Sequence, residues 1–282
     1  MIRHHFTVDV EEHFQVAAFD SPARRSSWAD HPSRVERNTR RILELLAERD
    51  VRATFFVLGW VAERQPELVR TIARAGHEVA SHGFDHEPLT AQDPKQFRLD
   101  VQRSKRLLED LVGSPVIGYR APSFTITPRT AWALPILVEE GFAYDSSIVP
   151  ILHDRYGFPG ANPRPHRLST DAGPLWEVPP STVRIAGVQV PVGGGGYLRI
   201  YPFVVFRWLL NRVEDAGQPI VLFVHPWEID PEQPRMNGSA LSRFRQYYNL
   251  DKTESRLVRL LDSTRFAPIR DSVPSELQRR AS

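Results

Sequence analysis

Segments rich in β-forming residues alternate with amphipathic segments along the first half of the chain. The predicted strands cover residues 4–10, 51–59, 77–82, 116–120 and 142–147, and the predicted helices cover residues 35–50, 61–75, 94–111 and 128–140. Repeated strand–helix units of this kind predict a mostly parallel sheet or barrel, with active residues at the C-terminal ends of the strands. The alternation therefore predicts an α/β fold.

The pattern lapses between residues 148 and 180, which are dense in Pro, Gly and His. An irregular segment of this length is usually a functional loop. Regular structure then resumes, with a predicted hairpin at 181–192, a helix at 202–216, a strand at 219–225, helices at 241–249 and 253–262, and a short strand at 266–270. Because we find neither an internal repeat nor a clear domain boundary, we expect residues 1–282 to form one domain.

The composition is that of an ordinary folded protein. Lys and Arg number 36 against 34 Asp and Glu, a balance that gives no indication of a nucleic-acid partner. No apolar stretch is long enough to span a bilayer and the first residues lack the apolar core of a signal peptide, so we expect a cytoplasmic protein, at most associated with the inner membrane surface. Since the chain has no Cys, His and carboxylates would have to hold any metal.

Two histidines and a group of carboxylates have the spacing of a metal site. His82 and His86 lie four residues apart just after a predicted strand. At the end of the first strand, side-chain alternation places Asp9 and Glu11 on one face and Glu12 on the other. Two His and one carboxylate form a three-ligand site with open positions, as in catalytic Zn²⁺ and non-haem Fe(II) proteins. The alternatives are ordinary surface or core histidines, and a Glu11 that only caps a helix or forms a salt bridge.

Three further features have two interpretations each. The run Gly193–Gly196 does not match a phosphate-binding loop. Its functional interpretation is a close backbone approach to a sugar or a mobile lid, and the alternative is a plain flexible turn. Trp227 is either a platform for a sugar ring or a core aromatic. The Arg-rich stretches 24–25 and 34–41 are interpreted as solvated faces rather than a nucleic-acid site, and an acidic glycan would also explain them.

Five short segments occur in the order and approximate spacing of a known set of motifs: TVDVEE, SHGFDH, YRAPSF, YDSS and FVHPWE. In this arrangement the chain resembles the carbohydrate esterase family 4 polysaccharide deacetylases, the NodB homology group. The segments HDRYG, VPPST, GGGGYLR, HPWE and RFRQYYNL further resemble the branch associated with bacterial exopolysaccharide and exosortase gene clusters. The resemblance covers nearly the whole chain, with 148–200 as a family-specific insert and 230–282 as an extension.

The resemblance implies a deformed (β/α) barrel of about seven strands and the metal-dependent hydrolysis of an N-acetyl group on a hexosamine. Glu11, His82 and His86 would hold one divalent metal, with Zn as the default ion and Fe, Co or Ni as alternatives. The expected partner is an N-acetylated glycan. The alternatives are a small amide or cyclic ureide as substrate, and a non-catalytic glycan-binding protein that keeps the fold.

The resemblance also implies roles for four further residues. Asp9 would be the general base and Arg120 the arginine that pairs with it. A bidentate guanidinium would keep that carboxylate ionised. His225 would be the general acid that protonates the leaving amine, and Asp145 the aspartate that orients or charges His225.

The chain departs from the family pattern at two of its motifs. Many members have adjacent Asp-Asp in the first motif, whereas this chain has Asp-Val-Glu-Glu, which leaves the roles of Asp9, Glu11 and Glu12 open. The usual Trp near Asp145 is absent. The side chains of Pro122–Phe124 differ from the family motif. For this segment the resemblance therefore implies only that a backbone N–H faces the oxyanion.

Overall fold

A computed structural model describes residues 2–16, 19, 25–153 and 156–281. The strands, in chain order, are β1 His4–Val10, β2 Thr54–Val57, β3 Glu78–Ser81, β4 Gly118–Tyr119, β5 Tyr144–Asp145, β6 His166–Thr170, β7 Gly173–Glu177, β8 Thr182–Ile185, β9 Val188–Pro191, β10 Val221–Val224 and β11 Phe266–Ala267. The α-helices are α1 Val35–Ala47, α2 Gly59–Arg64, α3 Pro66–Arg74, α4 Pro94–Val112, α5 Ala133–Glu139, α6 Gly195–Ile200, α7 Phe203–Asp215, α8 Ala240–Tyr247, α9 Leu250–Ser263 and α10 Ser275–Ala281.

The main sheet has the strand order β10-β1-β2-β3-β4-β5-β7-β6. Every pair from β10 to β7 is parallel, and β6 pairs antiparallel with β7 at the edge. The gap between β7 and β10 is spanned at Ser181, whose N–H donates to the Val221 carbonyl and whose hydroxyl accepts from the Val221 N–H. These seven parallel strands form a curled, barrel-like sheet, which confirms the predicted α/β fold.

The central strands are buried because side chains of the helices cover them. All of β2 and β3, and β1 from its second residue, lie in the interior. Local signals explain where the helices begin and end. At α4, Asp93 and Gln96 form a capping box, Pro94 occupies the first turn, and Gly113 ends the helix with a φ of 68°.

The structure corrects several of the predicted elements. Residues 148–180 are not one continuous loop, because they contain the antiparallel hairpin β6–β7. The single helix expected over 61–75 is divided at Gln65 into α2 and α3, since Pro66 begins a new helix. The residues after the short strand predicted at 266–270, for which we predict no further element, contain α10.

The run Gly193–Gly196 is built into the sheet and is not a free turn. Gly194 forms a parallel bridge with Phe223 of β10, and α6 begins at Gly195. Within the part of the chain that the structure describes, no helix is long and apolar enough to cross a membrane. Arg24 of the basic stretch, and Asp154 and Arg155 of HDRYG, lie outside the described residues.

Glu12 caps helix α1. Its side chain is 1% exposed, and its carboxylate accepts hydrogen bonds from the Ser33 hydroxyl and from the backbone N–H groups of Arg34 and Val35. These N–H groups belong to the first turn, where an anion is also favoured by the helix dipole. The carboxylate of Glu12 therefore joins the end of β1 to the start of α1.

We expect Glu12→Gln to lower the free energy of unfolding by about 1–3 kcal/mol, because the buried side chain that accepts from three donors loses an acceptor oxygen to an NH₂ group. Urea unfolding measures this change. The matched control is Glu36→Gln in the first turn of the same helix, where the carboxylate pairs with Arg40 at the surface and should contribute less than about 1 kcal/mol. Equal effects of the two substitutions would contradict the capping role.

Candidate active site

The candidate residues meet at one rim of the sheet, because each ends or follows a parallel strand. Those strands are β1 for Asp9 and Glu11, β3 for His82 and His86, β4 for Arg120, β5 for Asp145 and β10 for His225. An open cleft of roughly 550 Å³ lies above them. It is lined by Asp9, Glu11, Val16, His82, His86, Pro88, Thr90, Ser123, Phe124, Thr125, Tyr156, Phe223, His225 and Trp227.

Glu11, His82 and His86 form a buried cluster with one potential ligand atom each. These three atoms all lie within 4.8 Å of one another. Oε2 of Glu11 is 2.8 Å from Nε2 of His86 and 3.9 Å from Nε2 of His82. One carboxylate oxygen and two imidazole nitrogens are a donor set suited to a divalent transition metal.

The surroundings of His82 prepare its Nε2 to be a ligand atom. Nδ1 of His82 lies 2.8 Å from the backbone carbonyl of Arg120, which can only accept, so Nδ1 carries the proton and Nε2 keeps its lone pair. Burial lowers the pKa of His82 to about 4, which keeps the ring neutral at physiological pH. The residues present therefore fit a metal ion.

The other two members of the cluster, Glu11 and His86, have different surroundings. Burial alone would raise the pKa of Glu11, but the neighbouring His86, His225 and His82 outweigh it and lower that pKa to about 2. His86 adopts a φ of 52°, a left-handed conformation that is uncommon for His and that occurs at functional sites. The Nδ1 atom of His86 is buried without a hydrogen-bond partner among the described residues.

Arg120 holds Asp9 beside this cluster. Nη1 of Arg120 donates to Oδ1 of Asp9 and to the Thr7 hydroxyl, both at 2.7 Å. Nε and Nη2 of Arg120 donate to the carbonyl and hydroxyl oxygens of Ser146. The pair that we predicted between Arg120 and Asp9 is present, but it is made through one nitrogen and is not bidentate.

His225 reaches the same cleft from β10. Its Nε2 is 3.9 Å from Asp9 Oδ2 and 3.7 Å from Glu11 Oε1, and its side chain is 18% exposed. Burial by itself would lower the pKa of His225, but the carboxylates of Glu11 and Glu228 outweigh it and raise that pKa to about 9. His225 thus faces the cleft with one ring nitrogen and the interior with the other.

The carboxylate on the interior side of His225 is Glu228, and the expectation that Asp145 orients this ring is wrong. Nδ1 of His225 lies 3.2 Å from Oε2 of Glu228. The carboxylate of Asp145 instead accepts hydrogen bonds from the N–H and hydroxyl groups of Ser147. Burial raises the pKa of Asp145, which lies next to the equally buried Glu177. Neither acid is among the residues that line the cleft.

Trp227 is buried, as in the core-aromatic interpretation, but it also contacts two site residues. It is 5% exposed, and its Nε1–H donates to Glu11 Oε1 at 3.2 Å. Its ring stacks on His225 with a centroid distance of 5.0 Å and an interplanar angle of 18°. Trp227 therefore positions both Glu11 and His225, a role that the sequence interpretation missed.

The arginines of α1 and the residue before it pair with carboxylates of the same chain. Arg34 and Arg37 contact the buried Asp230, and Arg40 contacts Glu36. Arg41 likewise contacts two glutamates, one in α1 and one in α9. These charges are thus largely used within the fold.

Two sequence families match consecutive parts of the chain. Residues 23–136 match the polysaccharide deacetylase family, and residues 146–274 match a domain of unknown function (DUF3473). Both matched parts contribute strands to the one sheet, since β5, which lies between the two matched ranges, pairs with β4 on one side and with β7 on the other.

Individual proteins agree with the first of these matches. The chain is 35% identical over 109 residues to a peptidoglycan deacetylase of Helicobacter pylori, which covers 39% of this chain and only 36% of that protein. It is 30% identical over 156 residues to a chitooligosaccharide deacetylase of a Bradyrhizobium species, covering 46% of this chain and 68% of that protein.

A solved structure extends the likeness over nearly the whole fold. A crystal structure from Mycobacterium smegmatis, which carries a provisional polysaccharide deacetylase assignment, covers 94% of this chain and 91% of its own. The TM-score is 0.59 and the sequence identity is 26%. Together with the 68% coverage of the Bradyrhizobium protein, these matches show that the chain belongs to the polysaccharide deacetylase family.

Proposed function

We propose that the chain is a metal-dependent deacetylase that removes N-acetyl groups from the hexosamine residues of a bacterial exopolysaccharide or its precursor. The observation that carries the proposal is the convergence of three potential metal ligands, the Asp9–Arg120 pair and His225 on one open cleft. Family membership supports the reaction type. The exopolysaccharide substrate is supported by the resemblance of segments such as VPPST and GGGGYLR.

Glu11, His82 and His86 would hold one divalent cation, with Zn²⁺ as the default. When bound, such an ion supplies Lewis-acid stabilisation to an amide carbonyl and activates water. The three side chains come from β1 and β3 and bring one formal negative charge to the site. Three protein ligands would leave room on such an ion for water or substrate.

Asp9 is the proposed general base. Its carboxylate is 1% exposed and faces the cleft beside the cluster, and Arg120 binds one of its oxygens. The guanidinium holds the carboxylate in place, and an ionised carboxylate is the form that can accept a proton from an attacking water. The second oxygen, Oδ2, lies on the side of His225.

His225 is the proposed general acid. Its Nε2 lies in the cleft, 3.9 Å from Asp9 Oδ2 and 3.7 Å from Glu11 Oε1, and would donate to the leaving amine from there. Protonation of the nitrogen allows the C–N bond to break, and acetate and a free amino sugar are the products. The backbone N–H of Ser123 is the proposed oxyanion donor in Pro122–Phe124. Pro122 has no N–H, and the Phe124 N–H donates to the Ala121 carbonyl.

The direct test is acetate release from an N-acetylated chitooligosaccharide, measured with the metal-loaded protein and again after chelation. We expect release that disappears with the chelator and returns with added Zn²⁺. Hydrolysis of a cyclic ureide with no release from the glycan would favour the small-amide alternative. Binding of the glycan without turnover would favour a non-catalytic protein.

We predict one divalent metal per chain, lost in His82→Ala and in His86→Ala because each substitution removes one of three ligands. Elemental analysis of protein dialysed against buffer measures the occupancy. The control is His166→Ala, at a half-buried histidine of β6 outside the cleft. Full occupancy in both ligand variants would refute the assignment.

We predict that Asp9→Asn keeps the metal and lowers kcat for the glycan by about 10²–10⁴-fold, because the amide has the size of the carboxylate but cannot accept the proton. Acetate release and elemental analysis are measured on the same preparation. Asp171→Asn, in the exposed turn between β6 and β7, controls for loss of charge. Loss of metal in Asp9→Asn would exchange the roles of Asp9 and Glu11.

We predict that His225→Ala slows the N-acetyl substrate far more than an aryl acetate ester, because a phenolate leaves without a proton. The loss on the amide should be about 10²-fold or more, with metal content unchanged. Rates on both substrates, measured for the same enzyme, give the comparison. An equal loss on both would mean that His225 shapes the site and does not supply the proton.

A further inference from the structure

We infer that Glu228 is the residue that fixes the His225 imidazole for proton transfer. Glu228 lies between Arg199 and Gly195, which leaves room for it because it has no side chain. Glu228 does not line the cleft, so it is a positioning residue that acts through His225. The expected effect on kcat rests on the proposed function. The contact between Glu228 and His225 can be tested without turnover.

The HPWE segment folds so that Glu228 returns to His225. Residues Pro226–Ile229 form a 3-10 turn directly after β10. Oε2 of Glu228 accepts the backbone N–H of His225 at 3.0 Å and lies 3.2 Å from Nδ1 of the same residue. Pro226 begins the turn, and a Glu at its third position reaches back as in a capping box.

The charge of Glu228 determines which ring nitrogen of His225 carries the proton. Burial by itself would raise the pKa of Glu228, but Arg199 and His225 outweigh it and hold that pKa below its usual value. An ionised carboxylate can only accept, so Nδ1 must donate. Nε2, the other ring nitrogen, is then the one that faces the cleft, where it would hand its proton to the leaving amine.

Arg199 offsets the free-energy cost of burying the Glu228 carboxylate and holds it in place. It is 1% exposed, and its Nε donates to Oε1 of Glu228 at 2.9 Å. Nη1 donates to the backbone carbonyls of Gln246 and Tyr248, and Nη2 to that of Arg245, at the end of α8. Every nitrogen of the guanidinium is therefore used, and one oxygen of Glu228 is left for His225.

The glycine run provides the space that Glu228 occupies. A Cβ added at Gly195 would lie 2.1 Å from Oε2 and 2.8 Å from Oε1 of Glu228, so any side chain there would displace the carboxylate. At Gly196, the next residue of α6, the nearest atom would be Nη2 of Arg199 at 3.9 Å, an ordinary contact. The structure gives neither glycine a positive φ, so Ala is compatible with the backbone at both.

The experiment compares Gly195→Ala with Gly196→Ala, two identical changes at neighbouring positions of one short helix. We expect Gly195→Ala to lower kcat on an N-acetyl oligosaccharide about 10²-fold, with little change in KM and a change of no more than about threefold on an aryl acetate. Glu228→Gln should do the same, because Arg199 binds the amide oxygen and the NH₂ group then faces Nδ1. Gly196→Ala should keep both activities.

A second readout is the Nδ1–H signal of His225 in ¹H–¹⁵N NMR of the imidazole rings, assigned by its absence in His225→Ala. We expect this signal to shift or vanish in Gly195→Ala and Glu228→Gln, and to persist in Gly196→Ala and in the unrelated buried-carboxylate control Glu12→Gln. An unchanged signal in Gly195→Ala and Glu228→Gln would overturn the inference. So would equal losses on the amide and the ester in Gly195→Ala.

The two readouts separate the failure of this inference from the failure of the proposed function. A wild-type protein that releases no acetate would refute the function, while the NMR signal would still decide whether Glu228 holds the Nδ1 proton. Wild-type acetate release together with unaltered amide hydrolysis in Gly195→Ala and Glu228→Gln would leave the function standing and refute the positioning role.

Discussion

The rest of the site depends on the hydrogen bonds of the buried Arg120 guanidinium. It lies fully inside the protein, 4.1 Å from the ring centre of Phe56, and hydrogen-bonds to Thr7 and Asp9 of β1 and to Ser146 after β5. Removing a partner from such a buried charge costs about 3–5 kcal/mol. One side chain thus both joins the ends of three strands and fixes the position of the proposed base.

The segment of residues 9–12 shows how three buried carboxylates can coexist within four positions. Each has its own counter-charge or set of donors, so their mutual repulsion is offset separately. Asp9 contacts Arg120, Glu11 contacts His86 and Trp227, and Glu12 contacts the first turn of α1. The departure from the adjacent Asp-Asp pattern therefore adds a structural carboxylate beside the two that face the cleft.

The features that depend on local pattern could be predicted from the sequence, and those that depend on distant contacts could not. Strand alternation and the HxxxH spacing were sufficient to bring Asp9, Glu11, His82 and His86 to one rim. The β6–β7 hairpin was missed because Pro and Gly interrupt it, and β7 is fixed by a distant strand, β5. The role given to Asp145 failed for a similar reason. Motif order cannot indicate which carboxylate meets His225, although the Pro and Glu that follow this histidine were a local signal for Glu228.

One continuous set of contacts joins the C-terminal extension to the cleft. Carbonyls at the end of α8 bind Arg199, and the side-chain amide of Asn249 donates to the Arg199 carbonyl. Arg199 in turn holds Glu228, which holds His225. The part of the chain in the deacetylase match carries the histidine pair and Arg120, whereas the part in the second match carries the proposed acid and its supports. Asp9 and Glu11 precede both matched ranges. Because the histidine pair of the first part and the acid of the second would have to act on one bond, neither part would suffice without the other.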